Sequence, residues 1–114
     1  MPPRSNPLRL NKLQLKTLTV LQELARDPAT SSPIDDTGEV MITNLPNPHG
    51  DHFHIGARVV RARDATGLRN AAVWVALERK GLARSSFPYA ITLTTEGLGY
   101  DTGLGETILI GGDH

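Results

Sequence analysis

Residues 77–100, LERKGLARSSFPYAITLTTEGLGY, carry the clearest fold signal in this chain of 114 residues. A helical segment ends there at Gly81, because glycine suits the left-handed backbone position that closes many helices. The turn-forming SSFPYA and the alternating AITLT follow it. The stretch therefore predicts a helix that runs directly into a β-hairpin.

The helix before the hairpin is predicted within RNAAVWVALERKG, residues 69–81. Val73, Trp74 and Leu77 share one side of it at helical spacing, which indicates a core-facing helix with Trp74 at its edge. A shorter helix is predicted over residues 57–65, with Val59 and Val60 turned inward.

The turn Thr66-Gly67-Leu68 separates these two helices. Two helices joined by a short turn containing glycine are the sequence form of a helix-turn-helix, and the hairpin after them would be its wing. We therefore predict an α+β fold: a winged helix-turn-helix of three helices with small antiparallel β-hairpins.

The first of the three helices is predicted to begin at Asn11, which forms a capping box with Gln14. Its apolar stripe repeats at helical spacing and contains Leu10, Leu13, Thr17, Val20, Leu21 and Leu24. Leu15 and Leu18 lie outside this stripe, so we expect them to pack under the hairpin or in a subunit interface. One core is predicted from Val20, Leu21, Leu24, Val59, Val60, Val73, Leu77, Leu82 and Ile91.

Between the first and second helices, RDPATSSPIDDTG predicts a linker of turn residues. The segments EVMITNLP and DHFHIG flank the turn NPHG, and they predict a β-hairpin or at least two short strands. The whole chain, 1–114, fits one domain, with a flexible arm over 1–8 and a possible C-terminal strand or tail over 104–114.

Composition excludes several classes of protein. No cysteine is present, which rules out disulfides, a thiolate nucleophile and a cysteine-type zinc site. No apolar run approaches the roughly 20 residues that a membrane span needs. The N-terminal MPPRSNPLRLNK does not resemble a signal peptide, so we expect a cytoplasmic protein.

Charge is distributed unevenly along the chain. The 12 basic and 12 acidic residues give no formal net charge, so the molecule as a whole is not drawn to nucleic acid or to anionic membranes. Residues 55–90, however, contain seven basic residues and two acidic ones. This basic segment is the part of the chain in which a surface that contacts an anionic partner is expected.

The segments LERKGLARSS and AITLTTEGLGY resemble MarR-like winged-helix regulators, in which Leu-Glu-x-x-Gly-Leu closes the recognition helix and Leu-Thr-x-x-Gly follows the wing. The resemblance covers residues 57–100 and, more loosely, the first helix. It implies a homodimeric transcriptional regulator that binds double-stranded DNA, with the third helix in the major groove. The DNA-binding residues expected from it and from the basic character of this region are Arg58, Arg61, Arg69, Asn70, Arg79, Lys80 and Arg84.

A protein-interaction module that does not bind DNA is the alternative. The outward positions of the third helix are Ala71, Ala72, Val75 and Ala76, which offer methyl groups in place of hydrogen-bonding groups, so direct base readout is expected to be poor. Phe87 and Tyr89, if exposed together, would favour a protein contact.

Metal binding and catalysis are further alternatives. A metal-responsive variant would use His49, Asp51, His52 and His54, since imidazole and carboxylate suit zinc, nickel or copper. We nevertheless assign no metal or cofactor. Ser85 and Ser86 lack a nucleophile elbow, and the paired Asp35 and Asp36 have no visible catalytic partner, so we expect no enzyme.

Overall fold

The computed structural model describes residues 6–111, which form four α-helices and two antiparallel sheets. The helices are α1 (Lys12–Ala25), α2 (Ala71–Arg79), α3 (Thr95–Gly99) and α4 (Gly105–Ile108). The first sheet contains β1 (Ser31–Ile34), β2 (Glu39–Ile42), β5 (Ala83–Ser86) and β6 (Ala90–Leu93), in the order β1-β2-β6-β5. The second contains β3 (His52–Ile55), β4 (Arg58–Arg61) and β7 (Ile110–Gly111), in the order β3-β4-β7. The predicted α+β class is confirmed.

The start of α1 is confirmed by its hydrogen bonds. Asn11 Oδ1 accepts from the Gln14 amide at 2.8 Å, and Gln14 Oε1 accepts from the Asn11 amide at 3.0 Å. This reciprocal capping satisfies two amide groups at the helix end. Leu18 is fully buried and Leu15 is partly buried, and both pack against the core of this chain.

The predicted helix over residues 57–65 is wrong. Arg58–Arg61 forms β4, and a short 3-10 turn, Ala62–Asp64, follows it. Gly56 takes a φ of +56° and, with Ala57, joins β3 to β4 in a two-residue hairpin turn. Glycine at the first position of such a turn matches the twist of the strands. The helix-turn-helix that this helix would complete is therefore not confirmed.

The predicted hairpin around NPHG is also wrong in its pairing, although both of its strands exist. β2 lies between β1 and β6, whereas β3 pairs with β4 in the other sheet. Both edges of β2 are thus already occupied. The segment expected to be a linker contains β1, an edge strand. Pro33 is tolerated there because one side of an edge strand pairs with no neighbour, so the missing N–H costs no ladder hydrogen bond.

The predicted helix and hairpin around residues 77–100 are confirmed. α2 runs from Ala71 to Arg79, Gly81 follows with a φ of +77°, and β5 and β6 pair as an antiparallel hairpin. All but one of the predicted core residues are buried: Val20, Leu21, Leu24, Val60, Val73, Leu77, Leu82 and Ile91. Val59 is the exception, because it alternates with Val60 and projects from the other face of β4.

Close contacts connect the elements around the core. A Cβ atom on Gly97 of α3 would lie 1.9 Å from the Leu82 carbonyl oxygen, so only glycine permits this approach. Gln22 of α1 donates to the carbonyl oxygens of Gly97 and Tyr100, each at 2.8 Å. The backbone amide of Ser85, in the edge strand β5, donates to Glu78 Oε1 at 2.9 Å.

The chain ends are partly described. Of the expected arm, residues 1–5 lie outside the described residues, while Asn6 accepts a hydrogen bond from the Tyr100 hydroxyl and the Leu8 amide donates to that hydroxyl. At the other end, residues 112–114 lie outside the described range, and the segment before them forms α4 and β7. Within residues 6–111, no helix has the length and hydrophobicity to cross a membrane.

Candidate functional site

The confirmed helix–hairpin unit, consisting of α2 and the β5–β6 hairpin, is held firmly on the core. Asn70 caps α2 by accepting a hydrogen bond from the Ala72 amide at 3.0 Å. Trp74 is fully buried, and its indole Nε1 donates to the Leu68 carbonyl at 3.0 Å. Its predicted core role is confirmed. The exposed residues of the unit are therefore held in position by a helix that is capped and packed on the core.

The exposed side of the unit carries both apolar and charged side chains. Ala71, Ala72 and Val75 face solvent on α2, as their outward assignment predicts, while Ala76 is half-buried. Among residues 6–111, the large apolar side chains left exposed are Val75 at 42%, Phe87 at 39% and Tyr89 at 82%. All three belong to the helix–hairpin unit.

The tip of the hairpin is anchored by Phe87. Its ring lies edge-on to Trp74, with centroids 4.8 Å apart, and the bond between Phe87 and Pro88 is cis. Tyr89 follows Pro88 in the same turn and is almost completely exposed. Aromatic side chains held rigidly at a surface are typical anchors of protein interfaces.

Four of the predicted DNA-binding residues are occupied within the chain. Arg58 donates to the Leu109 carbonyl at 3.0 Å, which connects β4 to the C-terminal segment. Arg69 donates to the carbonyls of Leu45 and Pro46 and to the side chain of Asn47. Arg84 forms an ion pair with Glu39, and Asn70 is the N-cap described above.

The remaining three, Arg61, Arg79 and Lys80, are exposed, and no ion pair holds them within the described part of the chain. Arg79 and Lys80 lie together at the end of α2, whereas Arg61 lies on β4 in the second sheet. Arg63, which is not among the predicted DNA-binding residues, is equally exposed in the 3-10 turn. The signal that identifies its position is the Gly56-Ala57 turn, which sets the register of β4.

The outer face of the second sheet carries the predicted histidines, and we call it the histidine face. His52 and His54 alternate with Phe53 and Ile55; the latter two are buried, so the imidazoles project outward. The side chains that share this face come from β4 and β7: Val59, Arg61 and Ile110. A cleft of about 500 Å³ lies over it and is also lined by Asp51 and Arg63.

Within the histidine face the imidazoles lie close together. His52 Nε2 is 3.1 Å from His54 Nε2, and His52 Nδ1 is 3.2 Å from Asp51 Oδ1. The hydrogen bond from His52 lowers the pKa of the Asp51 carboxyl below its ordinary value, so Asp51 is ionised at neutral pH. The ring centroid of His49 lies 5.7 Å from that of His52 and 5.5 Å from that of His54.

The predicted ligand group is thus brought together, although not as a finished metal site. No group of three or more histidine, cysteine or acidic side chains in residues 6–111 is arranged to hold one metal ion. Ser85, Asp35 and Asp36, already set aside as catalytic candidates, lie in β5 and in the turn before β2.

Comparison of this chain with protein-family models, curated proteins and solved structures found no significant match in any of the three. The helix–hairpin unit and the histidine face are the two candidate sites of the described residues.

Proposed function

We propose that this chain is a protein-interaction module, which binds its partner through the helix–hairpin unit. The observation that supports this proposal best is the position of Val75, Phe87 and Tyr89. They are the exposed large apolar side chains of the described residues, and they belong to one helix and the hairpin that follows it. Large apolar side chains left exposed on one structural unit favour a protein partner.

The chemistry of the three side chains fits an interface with another protein. Phe87 is supported from below by the buried Trp74, so little side-chain entropy remains to be lost when a partner covers it. Tyr89 offers a large ring and a hydroxyl group that can each contact a partner. The neighbouring Ala71 and Ala72 leave room for close approach to the α2 backbone.

Photo-crosslinking in the cells that naturally produce the protein tests this proposal. A photoreactive phenylalanine analogue replaces Tyr89, and a matched variant carries the same analogue at Thr37, in the exposed turn between β1 and β2. We expect position 89 to yield a discrete protein adduct that position 37 does not yield. An adduct of twice the mass of the chain would identify the homodimer expected from the sequence.

Introducing Val75→Asp into the Tyr89 crosslinking variant provides the specificity control. A charge on α2 should abolish the adduct, because an aspartate buried in an interface must lose its water without an assured partner. Identical adducts from positions 37 and 89, or an adduct that Val75→Asp leaves unchanged, would contradict the proposed surface.

DNA binding and transcriptional regulation form the second candidate function, and Arg79 and Lys80 favour it. These adjacent cations are exposed at the end of α2 and could neutralise phosphates. The exposed Ala71, Ala72 and Val75 of the same helix would offer methyl groups to the bases. Affinity would then come mainly from phosphate contacts, with modest sequence preference.

Fluorescence anisotropy with a mixed-sequence duplex distinguishes this second candidate. At low salt, Arg79→Ala or Lys80→Ala should weaken binding to all sequences equally and lower the salt slope by about one unit for each phosphate that is no longer neutralised. Arg26→Ala is the control, because Arg26 pairs with Glu23 on α1. No binding at tens of micromolar protein would remove DNA, since non-specific dissociation constants are on the order of 10⁻⁴–10⁻⁶ M even at physiological salt.

A further inference from the structure

The spacing of His52 and His54 suits a bound metal ion. Their Nε2 atoms lie 3.1 Å apart on the outer face of the second sheet. An ion bound tetrahedrally at about 2.0–2.1 Å holds two ligand nitrogens about 3.3 Å apart, and a square-planar ion holds neighbouring nitrogens at about 2.9 Å. The observed separation falls between these two values, so one ion can contact both nitrogens once the rings turn to direct their lone pairs at it.

The contact between Asp51 and His52 orients one of the two ligands. The Asp51 carboxylate accepts from His52 Nδ1 at 3.2 Å, which leaves the lone pair of His52 on Nε2, facing His54. Carboxylates commonly hold metal-binding histidines in this way from the second coordination shell. Without metal, His54 Nε2–H donates to that lone pair.

We propose that His52 and His54 bind one divalent transition-metal ion through their Nε2 atoms. On binding, the proton on His54 Nε2 moves through water to Nδ1 of the same ring, and both ligands remain neutral imidazoles. Since no third protein ligand converges with them in the described residues, water fills the remaining positions. Copper(II) should bind more tightly than zinc or nickel, as the general order of affinities for nitrogen ligands requires.

Arg61 opposes this ion electrostatically. It lies directly across from His52 in the β3–β4 pairing and shares the cleft with both histidines. Opposite residues of an antiparallel pair have neighbouring side chains, so the guanidinium raises the local positive potential. Its removal should therefore tighten binding, an outcome that damage to the fold would not produce.

Calorimetric titration of the native chain with copper(II), and then with zinc, tests the site at neutral pH in a buffer that does not chelate metals. One ion per chain is expected, with nitrogen hyperfine coupling from two imidazoles in the copper spectrum. His52→Ala or His54→Ala should lower affinity at least about tenfold, Asp51→Asn about tenfold, and Arg61→Gln should raise it.

Two histidines serve as matched controls. His49→Ala should change affinity by less than about threefold, a difference too small to represent the removal of a ligand. His114, which lies outside the described residues, should be equally dispensable. Circular dichroism without metal should show all variants folded, because His52 is half-buried and His54 is exposed. No stoichiometric uptake, unchanged binding after both ligand substitutions, or a loss in His49→Ala equal to that in His52→Ala would overturn the two-histidine assignment.

Discussion

Trp74 and Phe87 meet edge to face, with their ring planes inclined at 83°. Trp74 is fully buried, whereas Phe87 is 39% exposed, so the pair extends from the centre of the core to the tip of the hairpin. The orientation of the exposed tip is therefore set by core packing.

Replacing Phe87 by alanine should lower the free energy of unfolding by about 1–2 kcal/mol, because the variant has neither the edge-to-face packing on Trp74 nor the partly buried ring. Tyr89→Ala should change it by less than about 0.5 kcal/mol, since Tyr89 is almost fully exposed. Urea unfolding measures both. Trp74 is the only tryptophan, so its native emission should shift to the red in the first variant alone. Equal losses in the two variants would contradict this arrangement.

Leu77→Ala should cost about 2–5 kcal/mol of unfolding free energy, the usual range for a fully buried leucine that leaves a cavity. Val75→Ala, two residues earlier on the exposed side of α2, is the matched control and should cost less than about 0.5 kcal/mol. Chemical denaturation distinguishes the two. A Leu77 variant as stable as the native chain would show that α2 is not seated on the core.

Gly97→Ala should destabilise the fold by about 1–3 kcal/mol or more, because its Cβ would overlap the Leu82 carbonyl, which cannot move independently of the backbone. Gly99→Ala adds the same methyl group two residues later, where nothing lies within 4 Å. That change should be neutral or should stabilise by about 0.4–1 kcal/mol. Thermal unfolding of both variants gives the comparison, and the reverse ranking would contradict the close contact between Gly97 and the Leu82 carbonyl.

The ion pair between Glu39 and Arg84 should make stability depend on pH. The hydrogen bond from Arg84, together with its positive charge, holds the pKa of Glu39 below its ordinary value of 4.5. Because the folded pKa is the lower one, the stabilisation is present above 4.5 and disappears as pH falls through the folded value. The difference in Tm between the native chain and Glu39→Gln should therefore shrink in acid.

Glu106→Gln is the control for this pH effect, since Glu106 is exposed on α4. Its Tm difference from the native chain should stay nearly constant over the same pH range. A Glu39→Gln difference that does not change with pH would show that the ion pair does not contribute to stability.

The parts of the fold that the sequence predicts correctly are those with local signals. The Asn11–Gln14 capping box and the spacing of Val73, Trp74 and Leu77 lie within single helices. β4 is different, because adjacent Val59 and Val60 fit the inward positions of a helix as well as a strand. Pairing with β3 decides between them, and that pairing is a tertiary interaction.

The candidate sites show the same division. Strand alternation is enough to place His52 and His54 on one face, but the distance between their nitrogens depends on the backbone of the folded sheet. Likewise, residue type identifies Arg58 and Arg69 as possible phosphate contacts. Their acceptors, the carbonyls of Leu109 and Leu45, come from distant segments that no local pattern reveals.

Each border of the first sheet offers a further strand fewer hydrogen-bond donors than an ordinary edge. On the β1 side, Pro33 offers no donor to an incoming chain. On the β5 side, Glu78 already accepts the Ser85 amide. Strand addition, the route by which exposed sheet edges recruit peptides or begin to form fibrils, is thereby disfavoured at this sheet. We therefore expect a partner at the helix–hairpin unit to recognise side chains, and we expect concentrated protein to resist aggregation by edge-to-edge strand pairing at this sheet.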